Sequence, residues 1–107
     1  MAVVNEWDEN AFNAAIASGV VMVDFFATWC GPCKMMMNVR AKAVEPFAED
    51  QLKVGKVNID LCRDLAVKYN IRTIPTFIVF KNGEIVETII GVQSQKALAN
   101  AITQALQ

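Results

Sequence analysis

The chain has 107 residues, 54% of them hydrophobic, with 10 basic and 11 acidic side chains and a net charge of -1. That length supports one core and too little for two, so a single domain over residues 1–107 is expected, and near-neutrality argues against a nucleic-acid footprint or a polybasic membrane anchor. The chain has no histidine, which removes Cys-His and Ser-His-Asp catalysis and imidazole metal ligation together.

Met1-Ala2-Val3-Val4-Asn5-Glu6 lacks the basic and long apolar regions of a secretory signal, and no apolar run reaches membrane-spanning length. A soluble, cytoplasmic protein is expected, with processing of an upstream segment left open. After a short opening strand, Asp8 reads as a helix cap, with Trp7 and Phe12 spaced as a hydrophobic staple, Ile16 one turn further on, and Gly19 as the stop. Val20 to Phe26 is a continuous apolar run broken only by Asp24. Like Leu52 to Ile59 it lacks simple alternation, which predicts two parallel strands buried on both faces. Between them Pro32 opens a helix. A short helix from about Leu61 to Tyr69 precedes Thr73-Ile74-Pro75-Thr76, and Phe77 to Phe80 reads as a strand. Asn82-Gly83 between strand-like runs is the signal of a type I′ hairpin leading to Ile85 through Ile90. Gly91 ends that run, and Ser94 to Leu106 forms a last helix with Leu98, Ile102 and Ala105 on one face. The βαβ start and antiparallel finish imply an α/β fold with a mixed sheet.

The chemistry-bearing stretch is Trp29-Cys30-Gly31-Pro32-Cys33, at the junction of the apolar strand and the helix that Pro32 opens. A helix N-terminus offers unpaired N–H groups and the positive end of the macrodipole, both of which favour thiolate over thiol. Cys30, at the exposed helix start, is the candidate nucleophile, and Cys33, most of a turn inside, the candidate resolving thiol. The alternatives are a structural disulfide or half a metal site. Zinc normally needs four N or S ligands, and only Cys62 remains beyond the pair. Three cysteines do not make the even-numbered framework of a small secreted domain. Cys62 reads as a small hydrophobe on the short helix, or as a regulatory thiol if exposed. Asp24 amid apolar neighbours should have a raised pKa and could shuttle protons, or else caps local N–H groups.

Together with Asp24 upstream, Lys56 midway, Thr73-Ile74-Pro75-Thr76 and Gly91, the Cys-Gly-Pro-Cys stretch makes the chain resemble the thioredoxin family over nearly its whole length. The resemblance implies a thioredoxin fold, with a five-stranded mixed sheet flanked by about four helices, and a general protein disulfide reductase. On that pattern Cys30 attacks and Cys33 resolves, closing a Cys30–Cys33 redox disulfide. Asp24 helps to deprotonate Cys33, with Lys56 nearby. Pro75 matches a cis-proline, and the Ile74 backbone would pair with an extended client segment. Trp29, Gly31, Pro32, Ile74, Pro75, Gly91 and Val92 match the apolar collar around the nucleophile. No bound cofactor or metal is implied; electrons would come from NADPH through a thioredoxin reductase, or in some systems from ferredoxin. The partners are that reductase and disulfide-containing client proteins, with no nucleic acid and no membrane, and the chain is expected to be a monomer. Gly31-Pro32, where more oxidising relatives carry histidine, favours a reductant. The rivals are a disulfide oxidase or isomerase domain and a non-catalytic binding subunit. Two departures stand out. Asn38 replaces the family's helix-kinking proline, so the helix should run straighter, while Pro46 should kink or split it unless a new helix starts there. Phe26 stands where many members have tryptophan. Met35-Met36-Met37 reads as core filler with one exposed member.

Overall fold

Branched and aromatic side chains pack well on a pleated surface, and the runs rich in them form the strands β1 (Val4–Glu6), β2 (Val20–Phe26), β3 (Leu52–Asn58), β4 (Thr76–Lys81) and β5 (Glu84–Ile90). The computed structural model describes residues 3–107; Met1 and Ala2, at the head of the stretch read for a signal sequence, lie outside the described residues. The helices are α1 (Glu9–Ile16), α2 (Gly31–Val44), α3 (Arg63–Lys68) and α4 (Gln95–Leu106). Strand order is β1-β3-β2-β4-β5, with β1–β3 and β2–β3 parallel and β2–β4 and β4–β5 antiparallel, the mixed sheet expected.

The caps fall where short polar side chains can accept the first orphan N–H groups. Asp8 accepts from Ala11 at 2.8 Å, and Ser94 accepts from Ala97 at 3.0 Å. Asn82 and Gly83 both have positive φ, at 51° and 86°, as a type I′ turn demands. The Asn82 side chain also accepts from the Gly19 N–H at 2.8 Å, while the Asn82 N–H donates to the Gly19 carbonyl at 2.9 Å, tying the hairpin to the α1–β2 turn.

Strand parity separates two cores. Val20 and Met22 point to the side covered by α2 and α4, where Met36, Ala43, Leu98 and Ile102 pack against them. Val21, Val23 and Phe25 point to the other side, onto Phe12 of α1 and Leu65 of α3. Asp24 shares the parity of Val20 and Met22, and in β3 Lys56 shares that of Leu52 and Val54. Both therefore face the α2 side. On the opposite side Trp7 covers Gly55 so closely that an added Cβ would stand 2.1 Å from the indole.

Helix α2 is one uninterrupted helix across Asn38, as the loss of a proline there implies. Pro46 neither kinks nor splits it: the helix ends at Val44, before the proline, whose missing N–H cannot extend the ladder. The methionine run has two exposed members, Met35 and Met37, with Met36 fully buried; of three positions spread over about 200° of the helix, Met36 is the one in phase with buried Cys33 and Arg40. The short helix is also narrower than Leu61 to Tyr69, with Cys62 at its N-cap and Tyr69 at its C-cap.

Candidate active site

The end of β2 delivers the chain to the N-terminus of α2, where Cys30 is the N-cap residue in an extended conformation and Pro32 lies in the first turn. Proline suits that position because its missing N–H has no partner to lose. Cys30 and Cys33 are joined by a disulfide, with Cα atoms 5.3 Å apart. The Cys33 backbone N–H donates to Cys30 Sγ at 3.1 Å, so the capping atom is sulfur. In the reduced protein that N–H and the helix dipole would both stabilise charge on Cys30.

Exposure does not separate the two cysteines, as the expectation of an exposed Cys30 required. Cys30 is 4% and Cys33 5% exposed, because both pack with Ala27, Phe26, Ile59 and Ile74. What distinguishes Cys30 is its setting. The flanking Trp29, Gly31 and Pro32 are exposed, and Cys30 Sγ lies 3.7 Å from the Ile74 carbonyl oxygen. The Ile74–Pro75 bond is cis, and the Gly91 N–H donates to the Pro75 carbonyl at 2.8 Å. Gly91, with φ +82°, occupies a conformation that disfavours any side chain, and Val92 beside it is exposed. Trp29, 67% exposed, donates its indole N–H to Asp60 at 2.8 Å. Trp29, Gly31, Pro32, Ile74 and Pro75 are thus assembled around Cys30, with Gly91 joined to them through Pro75.

Asp24, buried, and Lys56, half-buried, lie on the α2 face of the sheet, directly opposite each other in the β2–β3 register. The Lys56 ammonium is 5.3 Å from the Phe26 ring centroid and lines, with Phe26, Cys33, Lys34, Met37 and Arg40, a pocket of about 240 Å³. Asp24 is 2% exposed and forms an ion pair with Arg40 through Oδ2, while Oδ1 has no hydrogen-bond partner. Burial pushes the Asp24 carboxyl above its ordinary value of 3.8, while Arg40 and, more weakly, Lys56 oppose the rise.

Arg40 and Asp60 were not among the residues that motif reading singled out. Arg40 carried a signal nonetheless. It stands seven residues after Cys33, about two helical turns, and so on the same buried face. Among the described residues, no group of three or more Cys, Asp or Glu side chains is placed to hold a metal ion.

The thioredoxin family model matches residues 3–104. The chain belongs to the thioredoxin family. It is 40% identical to the thioredoxin of Bacillus subtilis over 106 residues, covering 99% of this chain and all of that one. It is 41% identical to that of Staphylococcus epidermidis over 109 residues, with the same coverage. Among solved structures, Malassezia sympodialis thioredoxin superposes with a TM-score of 0.87 at 37% identity, covering 97% of this chain and 94% of that one. Plasmodium falciparum thioredoxin gives 0.83 at 33% identity, covering 95% and 98%. With its adjacent cysteine pair, the chain is a protein-disulfide oxidoreductase of the thioredoxin fold.

Proposed function

We propose that the chain is a general reductase of protein disulfides, working by two successive thiol–disulfide exchanges. Thiolate at Cys30 attacks one sulfur of the client disulfide, forming a Cys30–client mixed disulfide and releasing the first client thiolate. Cys33 then loses its proton to Asp24 and attacks Cys30 Sγ; the Cys30–Cys33 disulfide closes and the second client thiolate leaves. Lys56 adds positive charge beside the pocket that Cys33 lines. Trp29, Gly31, Pro32, Ile74, Pro75, Gly91 and Val92 form the docking surface, on which an extended client segment pairs with the backbone at Ile74. A thioredoxin reductase drawing on NADPH reopens the disulfide, which makes the chain a cytoplasmic electron carrier. No helix among the described residues is long and apolar enough to cross a membrane.

The observation that supports the assignment of Cys30 is its sulfur at the helix cap, accepting the Cys33 N–H at 3.1 Å beside the Ile74 carbonyl. A lone N–H donor at a helix N-terminus favours the anion of the residue it caps. The test is reduction of insulin by dithiothreitol with wild type, Cys30→Ser and Cys33→Ser. Acceleration by wild type and loss in both variants is expected. No acceleration by wild type would point instead to a binding module.

A further inference from the structure

Arg40 breaks the pattern of its helix. The buried face of α2 consists of Cys33, Met36, Arg40, Ala43 and Val44, and the one charged member is 6% exposed. Arginine is almost never buried without a partner, and here the partner is Asp24. Two turns separate Arg40 from Cys33, about 10 Å along the axis. Helical side chains lean toward the N-terminus, which carries the guanidinium back toward Cys33, and the two residues line one pocket with Lys56. The other surroundings of Asp24 are apolar apart from two lysines. In β4 its register partner is Phe77, α4 brings Leu98, Ala101, Ile102 and Ala105 to this side, β3 contributes Lys56, and Lys34 of α2 lines the pocket.

The division between the two carboxylate oxygens is informative. Oδ2 is held by Arg40, and Oδ1 is buried with no partner. One oxygen is fixed and the other is free to take a proton. We infer that Arg40 is a positioning residue for the second half-reaction: it keeps Asp24 ionised, with Oδ1 available, beside the pocket that Cys33 lines, and thereby sets the lowest pH at which Cys33 resolves the mixed disulfide. This rests on the reading of Asp24 as proton acceptor. In that step the Cys33 thiol proton passes to Oδ1, Cys33 sulfur bonds to Cys30 sulfur, the Cys30–client bond breaks, and the client sulfur leaves with the electron pair. Asp24 later returns the proton to solvent. Without the guanidinium, only the weaker attraction of Lys56 would oppose burial, and the Asp24 carboxyl would stay protonated to higher pH.

The experiment is single-turnover rapid quench with a symmetric peptide disulfide, following formation and decay of the mixed disulfide by mass across pH, for wild type, Arg40→Met, Arg40→Lys and Asp24→Asn. Circular dichroism establishes that each variant is folded. In Arg40→Met the pH midpoint of the decay step should rise by about 1 to 3 units. Below that midpoint, decay should slow about tenfold per unit, with formation by Cys30 changed by less than about threefold. Arg40→Lys, which keeps a cation, should fall between Arg40→Met and wild type, and it carries the test if Arg40→Met does not fold. Decay profiles of the Arg40 variants superimposable on wild type, with Asp24→Asn slow, would overturn the role of Arg40 alone. Unchanged decay in Asp24→Asn would overturn the proton-acceptor reading and this inference with it. Formation and decay falling equally at every pH would reduce Arg40 to a packing residue.

Discussion

A buried carboxylate paired in register with Phe77 is an expensive group to ionise, and Asp24 retains a partner for that reason. Because its folded pKa is raised above the unfolded value, it favours the folded state most at pH below about 4, and that contribution is lost as the pH rises through the folded pKa. Asp24→Asn removes the titration. Its urea midpoint relative to wild type should therefore move upward as the pH is raised from about 4 to 9, and a pH-independent difference would contradict the raised pKa. Cys62 is perturbed in the same direction, by burial first and then by Asp8, Glu9 and Glu6. A thiol kept protonated is a poor nucleophile. Iodoacetamide at neutral pH should label Cys62 of the reduced protein at least about tenfold more slowly than Cys30, since reaction requires thiolate; equal labelling would make Cys62 a reactive thiol. The pairing of Cys30 with Cys33 and the raised pKa of Asp24 were legible from residue type and spacing. Arg40 was not, because its meaning depends on strand parity turning Asp24 toward α2 and on helical phase placing Arg40 over it. The near-complete burial of Cys30 was also illegible, since it comes from Phe26, Ile59 and Ile74, which other elements contribute.

Elements that end on local chemistry were read closely from the sequence. Asn82-Gly83 gave its hairpin, and Asp8 and Ser94 gave their helices. Helix α2 was harder. Pro46 signals a break, but whether it kinks a helix or ends one depends on the packing of the residues after it, and here the chain turns away to reach β3. The exposure of both Met35 and Met37 likewise depends on the phase at which Cys33, Met36 and Arg40 face the sheet. Close contact of Trp7 with Gly55 fixes the loop before α1 against β3, reinforced by the Trp7 N–H donating to the Lys56 carbonyl at 2.9 Å. Gly55→Ala should destabilise the protein by about 1–3 kcal/mol in urea unfolding, from overpacking against the indole. A loss below about 0.5 kcal/mol, within the range of ordinary surface changes, would show that the tryptophan yields freely.

Across the molecule, one sheet does two jobs. Its α1/α3 face is an aromatic core in which Phe12 packs edge-on against Phe25, Tyr69 and Phe80. Its α2/α4 face is apolar, mostly aliphatic with Phe77 in it, until the Asp24–Arg40 pair, with Lys56 and Cys33 at the pocket beside it. The N-terminal end of α2 is thus anchored by two turns of buried contact and bordered by the exposed Trp29, Gly31 and Pro32, an arrangement that suits the proposed approach of a client disulfide to Cys30 with proton transfer from Cys33 on the inner side. The α/β architecture, the mixed five-stranded sheet and the position of the cysteine pair follow from hydrophobic runs and turn signals. Pairing across α2 and β2 is tertiary, and its one trace in the sequence is the seven-residue spacing that puts Arg40 on the face of Cys33. The central claim, that Cys30 attacks and Cys33 resolves, is tested most directly by trapping. Each single Cys→Ser variant is reduced, mixed with insulin and quenched with acid, and the covalent adducts are identified by mass and peptide mapping. Cys33→Ser should accumulate a mixed disulfide through Cys30, and Cys30→Ser should accumulate none. Adducts forming preferentially through Cys33 would contradict the account.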